Sequence, residues 1–425
     1  MNVWLINHYA YPPTEPGDAR HYSHARELLC RGYGARIIAC NFHHLTHKYI
    51  SMAAGRIWEH CVLEGVPFTW ITARPYRANS VARIWNMLQF GRRAWKGDWA
   101  VGLPPPDLIL GSSPHPFAAL AAEQLASRHG VPFVLEIRDP WPLTFTEVGG
   151  YSKYHPFVQL VDRTMRYLYA RAARIVMFSK DSADLLVRYG ADPQRIVWIP
   201  NGVDLRSTLE PRPAPDDGQF TVTYLGAHNQ WNSLDVVLDA AKLLQNAGVR
   251  DVLIRFVGDG ASKPGLVERA RTEGIRNVRF EDPVTKKQVP GILHTSDAFI
   301  INNRKDGASK GWMSFQKMYD YLAAGRPIVF GCCSNCDPVR ESGAGISVEA
   351  DNPAELARAI QYLSGRSREQ LWEYGLLGHR YIEKAYNLPL LVDRFESLIA
   401  DLTRQPLVAH KSSSLLKGRP FSYTR

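Results

Sequence analysis

Lys317 and Asp320 stand three residues apart near the start of one predicted helix. Ser314 suits the N-cap position of that helix, while Gly325 and Pro327 would end it before an apolar strand. Residues three apart share one helix face, and the free backbone N–H groups at a helix start favour negative charge. The spacing therefore predicts either a site in which the lysine binds phosphate and the aspartate binds sugar hydroxyls, or a surface ion pair.

Three short motifs follow other apolar runs in the same half of the chain. They are Gly226-Ala227-His228-Asn229-Gln230, Val257-Gly258-Asp259-Gly260 and Pro283-Val284. In a parallel sheet, ligands bind beside the carboxyl ends of the strands, where such loops lie. Each motif alone is compatible with an ordinary turn, so only their order along the chain, together with Lys317, indicates a binding site.

Short apolar runs alternate with helical patterns in both halves of the sequence. The predicted strands cover 3–7, 36–40, 68–72, 108–111, 133–137, 175–179 and 196–199, and then 221–225, 253–257, 278–280, 298–301 and 328–330. Between the halves, residues 209–219 contain three prolines, two aspartates and a glycine, as a linker would. Repeated βαβ units predict an α/β protein with two parallel sheets covered by helices.

The composition fits a protein of two globular domains. The chain has 425 residues, of which 45% are hydrophobic, and this length favours two domains of roughly 200 residues each. The cysteines are scattered except for Cys332, Cys333 and Cys336, which lack a second cluster to complete a zinc site. This pattern predicts reduced cysteines, with a metal site or a redox pair at 332–336 as the alternative. We expect neither a metal nor a cofactor. Because there is no signal-peptide pattern and no apolar run of about 18 residues, we expect a cytoplasmic protein.

Positive charge is concentrated in one segment of the first half. The chain carries 51 lysines and arginines against 41 aspartates and glutamates, a net charge of +10. Residues 65–97 hold basic and aromatic side chains but no acidic one. The helical spacing of Ile84, Met87, Leu88 and Trp95 predicts a basic amphipathic helix that either lies on an anionic membrane or packs on its own domain. The segment has none of the recognised RNA-binding motifs, so no nucleic-acid partner is expected.

Residues 314–330 resemble the donor-binding helix of the retaining glycosyltransferases of family 4, especially a bacterial surface-polysaccharide branch that includes the N-acetylfucosamine transferases. The matching residues are Lys317, Asp320, Gly325 and Pro327. Gln316 stands where that branch usually has asparagine, and Trp312 stands where the wider family has the first of two glutamates. The strand-end motifs from Gly226 onward follow the family's order.

The resemblance implies the GT-B fold, in which two Rossmann-like, doubly wound domains face each other across a cleft. It implies an acceptor-side domain over 1–208 and a nucleotide-sugar-binding domain over 209–385. A helix over 386–404 would cross back to the first domain, and a basic tail over 405–425 would fray. The resemblance further implies transfer with retention, without metal, from a donor that is usually linked to UDP.

The resemblance also implies roles for residues in both halves. The implied donor-binding residues are Gly17, Arg20, Gly226, His228, Gln230, Gly258, Asp259, Gly260, Val284, Lys317 and Asp320. The implied catalytic residues are Lys317, Asp320, Arg138, Asp139 and His115. Arg138 and Asp139, in a motif similar to the branch's Arg-Asp-Leu-Trp-Pro, would face the acceptor or form a structural ion pair. His115 would replace a histidine that the wider family often carries after the strand beginning at Leu108.

The predicted function is a glycosyltransferase that moves a sugar from a nucleotide sugar to a saccharide or polyprenyl-linked acceptor in the synthesis of O-antigen, capsule or exopolysaccharide. Such an enzyme would work in the cytoplasm, in contact with the anionic inner face of the membrane. Two alternatives stay open. One is a non-hydrolysing nucleotide-sugar epimerase, which would need acidic and histidine groups for proton transfer. The other is a catalytically degenerate sugar-nucleotide-binding protein, which would explain why Trp312 replaces the family's first glutamate.

Overall fold

The structure is a computed structural model that describes residues 1–17, 19–50, 52–53, 55–77, 81–139, 141–143, 145–146, 149–179, 182–214, 218–285, 288–305, 316–333 and 336–403. Three predicted features lie outside these residues, namely the Trp312 departure, the Ser314 cap and the tail at 405–425. Packing divides the chain into two compact units. Among the described residues, the first unit takes those of Met1–Arg138, Tyr167–Ile175 and 392–403, and the second takes those of Asp139–Arg166 and Val176–Leu391.

The first sheet has eight strands in the order β3-β4-β2-β1-β5-β6-β7-β8. Their bounds are β1 Asn2–Ile6, β2 Gly34–Cys40, β3 Trp58–Leu63, β4 Val66–Ile71, β5 Leu108–Ser112, β6 Phe133–Ile137, β7 Arg174–Met177 and β8 Ile196–Trp198. The first five helices are α1 Arg20–Cys30, α2 Val81–Lys96, α3 Pro116–His129, α4 Pro156–Arg171 and α5 Ser182–Arg188. Strand β1 pairs in parallel with β2 and β5, whereas β3 runs antiparallel to β4. Strands β5 and β6 are buried at every position, which explains why their sequences are mainly apolar.

The second sheet has six strands in the order β11-β10-β9-β12-β13-β14, and all neighbouring strands run parallel. Their bounds are β9 Phe220–Leu225, β10 Val252–Val257, β11 Val278–Glu281, β12 Ala298–Asn302, β13 Ile328–Cys332 and β14 Gly345–Glu349. The remaining helices are α6 Leu234–Asn246, α7 Lys263–Thr272, α8 Val289–His294, α9 Gln316–Ala323, α10 Pro338–Ser342, α11 Pro353–Ser364, α12 Arg368–Ala385 and α13 Leu388–Thr403.

Apolar layers cover both faces of the second sheet. Ile300 of β12 packs in a layer with the buried faces of α6 and α11. Its neighbours Phe299 and Ile301 pack in another layer with Met318 and Leu322 of α9. Because successive side chains of a strand point to opposite faces, this alternation gives a sheet with helices on both sides. The α/β class with two parallel-sheet domains, predicted from the sequence, is confirmed.

Helix α9 ends as its sequence predicts. Gly325 has a φ of +69°, and its N–H donates to the carbonyl oxygen of Leu322 at 3.2 Å. The residue in this left-handed conformation after the last turn is usually glycine, because glycine has no Cβ to clash with the backbone. Pro327 follows, and β13 begins at the next residue. This ending fixes the position of Lys317 in the first turn of α9.

The basic helix α2 packs on its own domain along one face. Met87, Phe90 and Gly91 are buried, so part of the stripe that predicted a membrane face belongs to the core. The opposite face leaves Trp85 58% exposed and Trp95 44% exposed. No helix among the described residues combines the length and the hydropathy that a membrane span needs.

The part of helix α13 that follows Leu391 belongs to the first unit and forms ion pairs at the end of α1. Arg31, which follows α1, forms an ion pair with Asp393 at 2.6 Å and with Glu396. Arg31 and Glu396 are both buried, whereas the side chain of Asp393 is 54% exposed. The domain limits and the crossing of this helix between domains stay predictions.

Candidate functional site

Lys317 lies among neutral hydrogen-bonding groups at the carboxyl end of β9. Its Nζ donates to the hydroxyl of Tyr224 at 2.8 Å and to Oδ1 of Asn232 at 3.0 Å. The same nitrogen lies 4.3 Å from the centroid of the Tyr224 ring, within the range of a cation–π contact. Lys317 forms no ion pair with any of the residues that the structure describes. A cation held without a carboxylate is suited to an incoming anion.

Burial lowers the pKa of Lys317 to about 7, because a partly dry environment disfavours the charged ammonium. Its neighbours His228 and Tyr224 stay neutral at that pH. Burial and the charge of Lys263 lower the pKa of His228 to about 4, and burial raises the pKa of Tyr224 well above its usual value. Lys317 therefore changes its own charge near neutral pH while its nearest neighbours do not.

If this site binds UDP, the nucleotide that the resemblance implies, that binding is expected to weaken as the pH rises above 7. Below that pH Lys317 is charged before the ligand arrives, whereas above it each bound diphosphate must also recruit a proton. The sign follows from the lowered pKa of the free lysine, and the dissociation constant is expected to rise by up to about tenfold per pH unit. Titration calorimetry between pH 7 and 9, where the ligand's own phosphate ionisation is nearly complete, would measure the slope.

Lys317→Arg provides the matched control for this pH dependence, because a guanidinium stays charged over the whole range. The affinity of that variant should be independent of pH, even if the longer side chain weakens binding throughout. A wild-type slope that persists in Lys317→Arg would assign the pH dependence to another group.

Two loops approach each other through their backbones beside Lys317. A Cβ on Gly258 would lie 2.0 Å from the carbonyl oxygen of Gly226, and Gly258 has a φ of +143°. A Cβ on Gly260 would lie 2.4 Å from the carbonyl oxygen of His228. The N–H of His228 donates to the carbonyl oxygen of Asp259 at 2.8 Å, which joins the two loops directly. Glycine is thus required for the loop after β10 to lie against the loop after β9.

The imidazole of His228 is buried beside this contact. Neither of its ring nitrogens has a hydrogen-bond partner in the described part of the chain, and the side chain is 0% exposed. An unpaired buried polar group costs about 1–3 kcal/mol, so the orphaned nitrogens are expected to gain a partner when a ligand binds. The predicted residues Lys317, Gly226, His228, Gly258 and Gly260 therefore lie together.

The other predicted donor residues of this half lie at the edge of the same region. Gln230 is exposed, and its carbonyl oxygen accepts from Arg304 at 3.5 Å. The carboxylate of Asp259 is exposed and accepts from the N–H of Gly260 at 2.8 Å. Val284 is half-buried in the loop after β11, and Asp320 is half-buried on α9. The structure leaves the roles of these four residues as predictions.

Arg20, predicted to supply charge to the donor phosphate, lies in a buried ion pair. Its Nε donates to Oε1 of Glu136 at 2.9 Å, and Nε2 of His21 lies 2.8 Å from Oε2 of the same carboxylate. Burial alone would raise the pKa of Glu136, but the charges of His21 and Arg20 hold it well below the usual range. The sequence did not indicate this partner for Arg20, whose role toward a donor stays a prediction.

His115 is paired with a second buried histidine. Its Nε2 lies 2.7 Å from Nδ1 of His8, and the two rings are nearly perpendicular at 77°. Burial and then the charge of Arg83 lower the pKa of His115 to about 3, so a neutral tautomer shares one proton with His8. Nδ1 of His115 and Nε2 of His8 have no partner among the described residues.

The remaining predicted residues lie at strand ends of the first sheet. Arg138 and Asp139 follow β6 directly and are half-buried, and the N–H of Arg138 lies 3.4 Å from Oγ of Ser113. Gly17 lies in the loop between β1 and α1 with a φ of +116°, packed near Tyr11. Contact between Arg138, Asp139 and an acceptor stays a prediction.

Tyr224 is a candidate site residue that sequence reasoning missed. It lies at the last buried position of β9, where its ring is part of the core and its hydroxyl reaches both Lys317 and the carbonyl oxygen of Ala227. The available signal was the alternation of Phe220, Val222 and Tyr224, which places a hydroxyl on an apolar face at the end of a strand.

The described residues include no group of three or more His, Cys, Asp or Glu side chains placed to hold a metal ion.

Comparisons with known proteins agree with this arrangement. Residues 13–202 match the family described as glycosyl transferase 4-like domain, and residues 219–365 match glycosyl transferases group 1. A probable glycosyltransferase, WbjE of Pseudomonas aeruginosa, is 22% identical over 73% of this chain and 76% of its own length. The D-inositol 3-phosphate glycosyltransferase of Geodermatophilus obscurus is 28% identical over 46% of each chain, so this alignment spans about half of that relative.

A solved structure of Anabaena Alr3699/HepE in complex with UDP and glucose shares the fold, with a TM-score of 0.64. The identity is 14%, and the alignment covers 95% of this chain and 100% of that chain. Two parallel α/β sheets, the cation beside glycine-bearing strand ends and the two consecutive family matches agree with one another. The chain thus joins a glycosyl transferase 4-like domain to a glycosyl transferases group 1 domain in a GT-B-type protein.

Proposed function

We propose that this protein transfers a sugar, with retention and without a metal, from a UDP-linked donor to a saccharide or polyprenyl-linked acceptor in surface-polysaccharide synthesis. The observation that carries the proposal is Lys317, a half-buried cation without a carboxylate partner among the described residues, held 3.0 Å or less from Tyr224 and Asn232 beside the strand-end loops. The solved relative that contains UDP and glucose supports a nucleotide-sugar donor.

The chemistry requires little more than charge and alignment. When the bond from the sugar to the nucleoside diphosphate breaks, negative charge develops on the departing phosphate oxygen. A fixed ammonium and backbone N–H groups aimed at that oxygen stabilise the transition state, because they need not reorganise as the charge appears. We assign this role to Lys317, with His228 as the neutral hydrogen-bond donor to the diphosphate.

The surface-polysaccharide assignment and the N-acetylfucosamine-transferase branch rest on sequence resemblance in α9. The acceptor assignment is supported by α2, whose exposed face carries Arg92, Lys96, Trp85 and Trp95. Cations and tryptophans on one helix face suit the headgroup region of an anionic membrane, where a polyprenyl-linked acceptor would lie.

A panel experiment would test the proposal. The protein is incubated with individual nucleotide sugars and a membrane lipid extract, and both nucleoside diphosphate release and lipid-linked saccharide are measured. A lipid-linked product with an unchanged anomeric configuration is expected. Interconversion of sugars without diphosphate release would indicate the epimerase alternative, and tight UDP binding without product would indicate the degenerate one.

We expect Asp320→Asn to impair the use of the donor more than Asp320→Glu does. A carboxylate accepts hydrogen bonds from two hydroxyl groups, whereas an amide offers a single acceptor oxygen and two N–H donors. Both substitutions keep the half-buried position on α9 polar, so the comparison separates charge from size. Initial rates at limiting and saturating donor would show the difference, and equal rates for the two variants would make Asp320 structural.

A further inference from the structure

An apolar groove of about 320 Å³ lies between α2 and α3 in the first unit. Its apolar lining is contributed by Leu88 and Trp95 of α2 and by Phe117, Leu120 and Ala121 of α3. No residue of the proposed donor site lines this groove. A lining of this kind favours a hydrocarbon ligand over a polar one.

Close packing of the two helices forms the groove. A Cβ on Gly91 would lie 2.8 Å from the carbonyl oxygen of Phe117, so the helices touch through backbone at that point. Leu88 and Leu120 are only half-buried, and Trp95 remains 44% exposed. The apolar side chains therefore border a groove that solvent reaches.

The rim of the groove is cationic. Arg92 lines it and is exposed, and Lys96 is exposed one turn further along α2. The guanidinium of Arg128 lies 5.6 Å from the Trp95 ring centroid and donates to the carbonyl oxygen of Lys96 at 3.1 Å. The acidic residue of α3, Glu123, is buried and pairs with an arginine, so it does not neutralise this rim.

We propose that this groove binds one hydrocarbon chain of an anionic membrane lipid, with the lipid phosphate against Arg92, Lys96 and Arg128. The inference rests on the proposed function and extends it, because it locates the lipid contact on α2 and α3. An apolar groove with a cationic rim and an exposed tryptophan matches both parts of such a lipid. Arg93, by contrast, donates to the carbonyl oxygen of Thr72 and is not part of this rim.

The test uses the whole protein and vesicles of phosphatidylglycerol with phosphatidylcholine, in which the phosphatidylglycerol carries a photoreactive diazirine on one acyl chain. After irradiation, mass spectrometry maps the adducts. Adducts on peptides of α2 and α3 are expected. Vesicle binding, measured by sedimentation, should decrease as salt screens the charge. Vesicles of phosphatidylcholine alone should give few adducts and little sedimentation of the protein.

Two variants and a matched control distinguish binding of the lipid's hydrocarbon chain from binding of its phosphate. Leu88→Gln with Leu120→Gln should lower the α2 and α3 adducts at least fivefold, while Arg92→Ser with Lys96→Ser should lower vesicle binding at least tenfold. Leu45→Gln, at a leucine that is 55% exposed on the same unit, should change neither. Thermal melting and UDP binding of each variant report whether the fold and the donor site are intact.

Adducts located away from α2 and α3, or unchanged in the groove variant, would overturn the proposal. Vesicle binding that ignores salt and lipid charge would also overturn it. In both cases normal UDP binding and sugar transfer would leave the proposed function standing. A protein that neither binds UDP nor transfers sugar would instead contradict the proposed function, whatever the adducts show.

Discussion

Replacing Lys317 with alanine is expected to lower kcat/KM for the nucleotide sugar at least tenfold. The ammonium is the half-buried cation of the proposed donor site, hydrogen-bonded to Tyr224 and Asn232 without a carboxylate among the described residues. A charge-assisted hydrogen bond to phosphate contributes about 1.5–3 kcal/mol, and the contribution grows as the leaving group gains charge. The loss should therefore appear in turnover as well as in donor binding.

Steady-state kinetics with UDP binding in parallel would measure the effect. Lys242→Ala is the matched control, because Lys242 forms only a surface ion pair with Glu273 at 2.9 Å. That variant should retain wild-type rates, and both variants should keep a melting temperature within a few degrees of the parent. Full activity in Lys317→Ala would remove the anion site from the mechanism.

Much of the fold was predictable because buried parallel strands have a direct sequence signature. Each predicted strand is present within two residues of its expected bounds, and helix α13, Leu388–Thr403, lies within the predicted range of 386–404. Strands covered on both faces are mainly apolar, which makes them visible without an alignment.

The strands that sequence reasoning missed are at the sheet edges. Strand β3, Trp58–Leu63, runs antiparallel to β4, and β14, Gly345–Glu349, borders only β13. Both contain half-buried and polar residues, because an edge strand is covered less completely than a central one. Their sequences therefore lack the continuous apolar run that identified the other strands.

The candidate site was predictable in part. The position of Lys317 followed from local rules for helix ends, which depend on neighbours in sequence. Its partner Tyr224 is 93 residues away, and only the pairing of strands and the packing of α9 bring the two together. The ion pair of Arg20 with Glu136 spans 116 residues and was hidden for the same reason.

Gly258→Ala is expected to have the largest effect on stability among substitutions in the donor-site loops. The new Cβ would lie 2.0 Å from the carbonyl oxygen of Gly226, which is backbone and cannot rotate away, and the φ of +143° is strained for alanine. Overpacking and backbone strain together should cost roughly 2–4 kcal/mol. Separating the two loops should also weaken UDP binding at least tenfold.

Gly265→Ala is the matched control, and its expected effect on stability has the opposite sign. Gly265 lies in α7, and a Cβ there meets no atom within 4 Å. Alanine is favoured over glycine in a helix by up to about 1 kcal/mol, so the control should melt at or slightly above the parent temperature. Thermal unfolding followed by circular dichroism would compare the three proteins. If Gly258→Ala has the same melting temperature as the control and binds UDP normally, the backbone contact between the loops does not hold the donor site together.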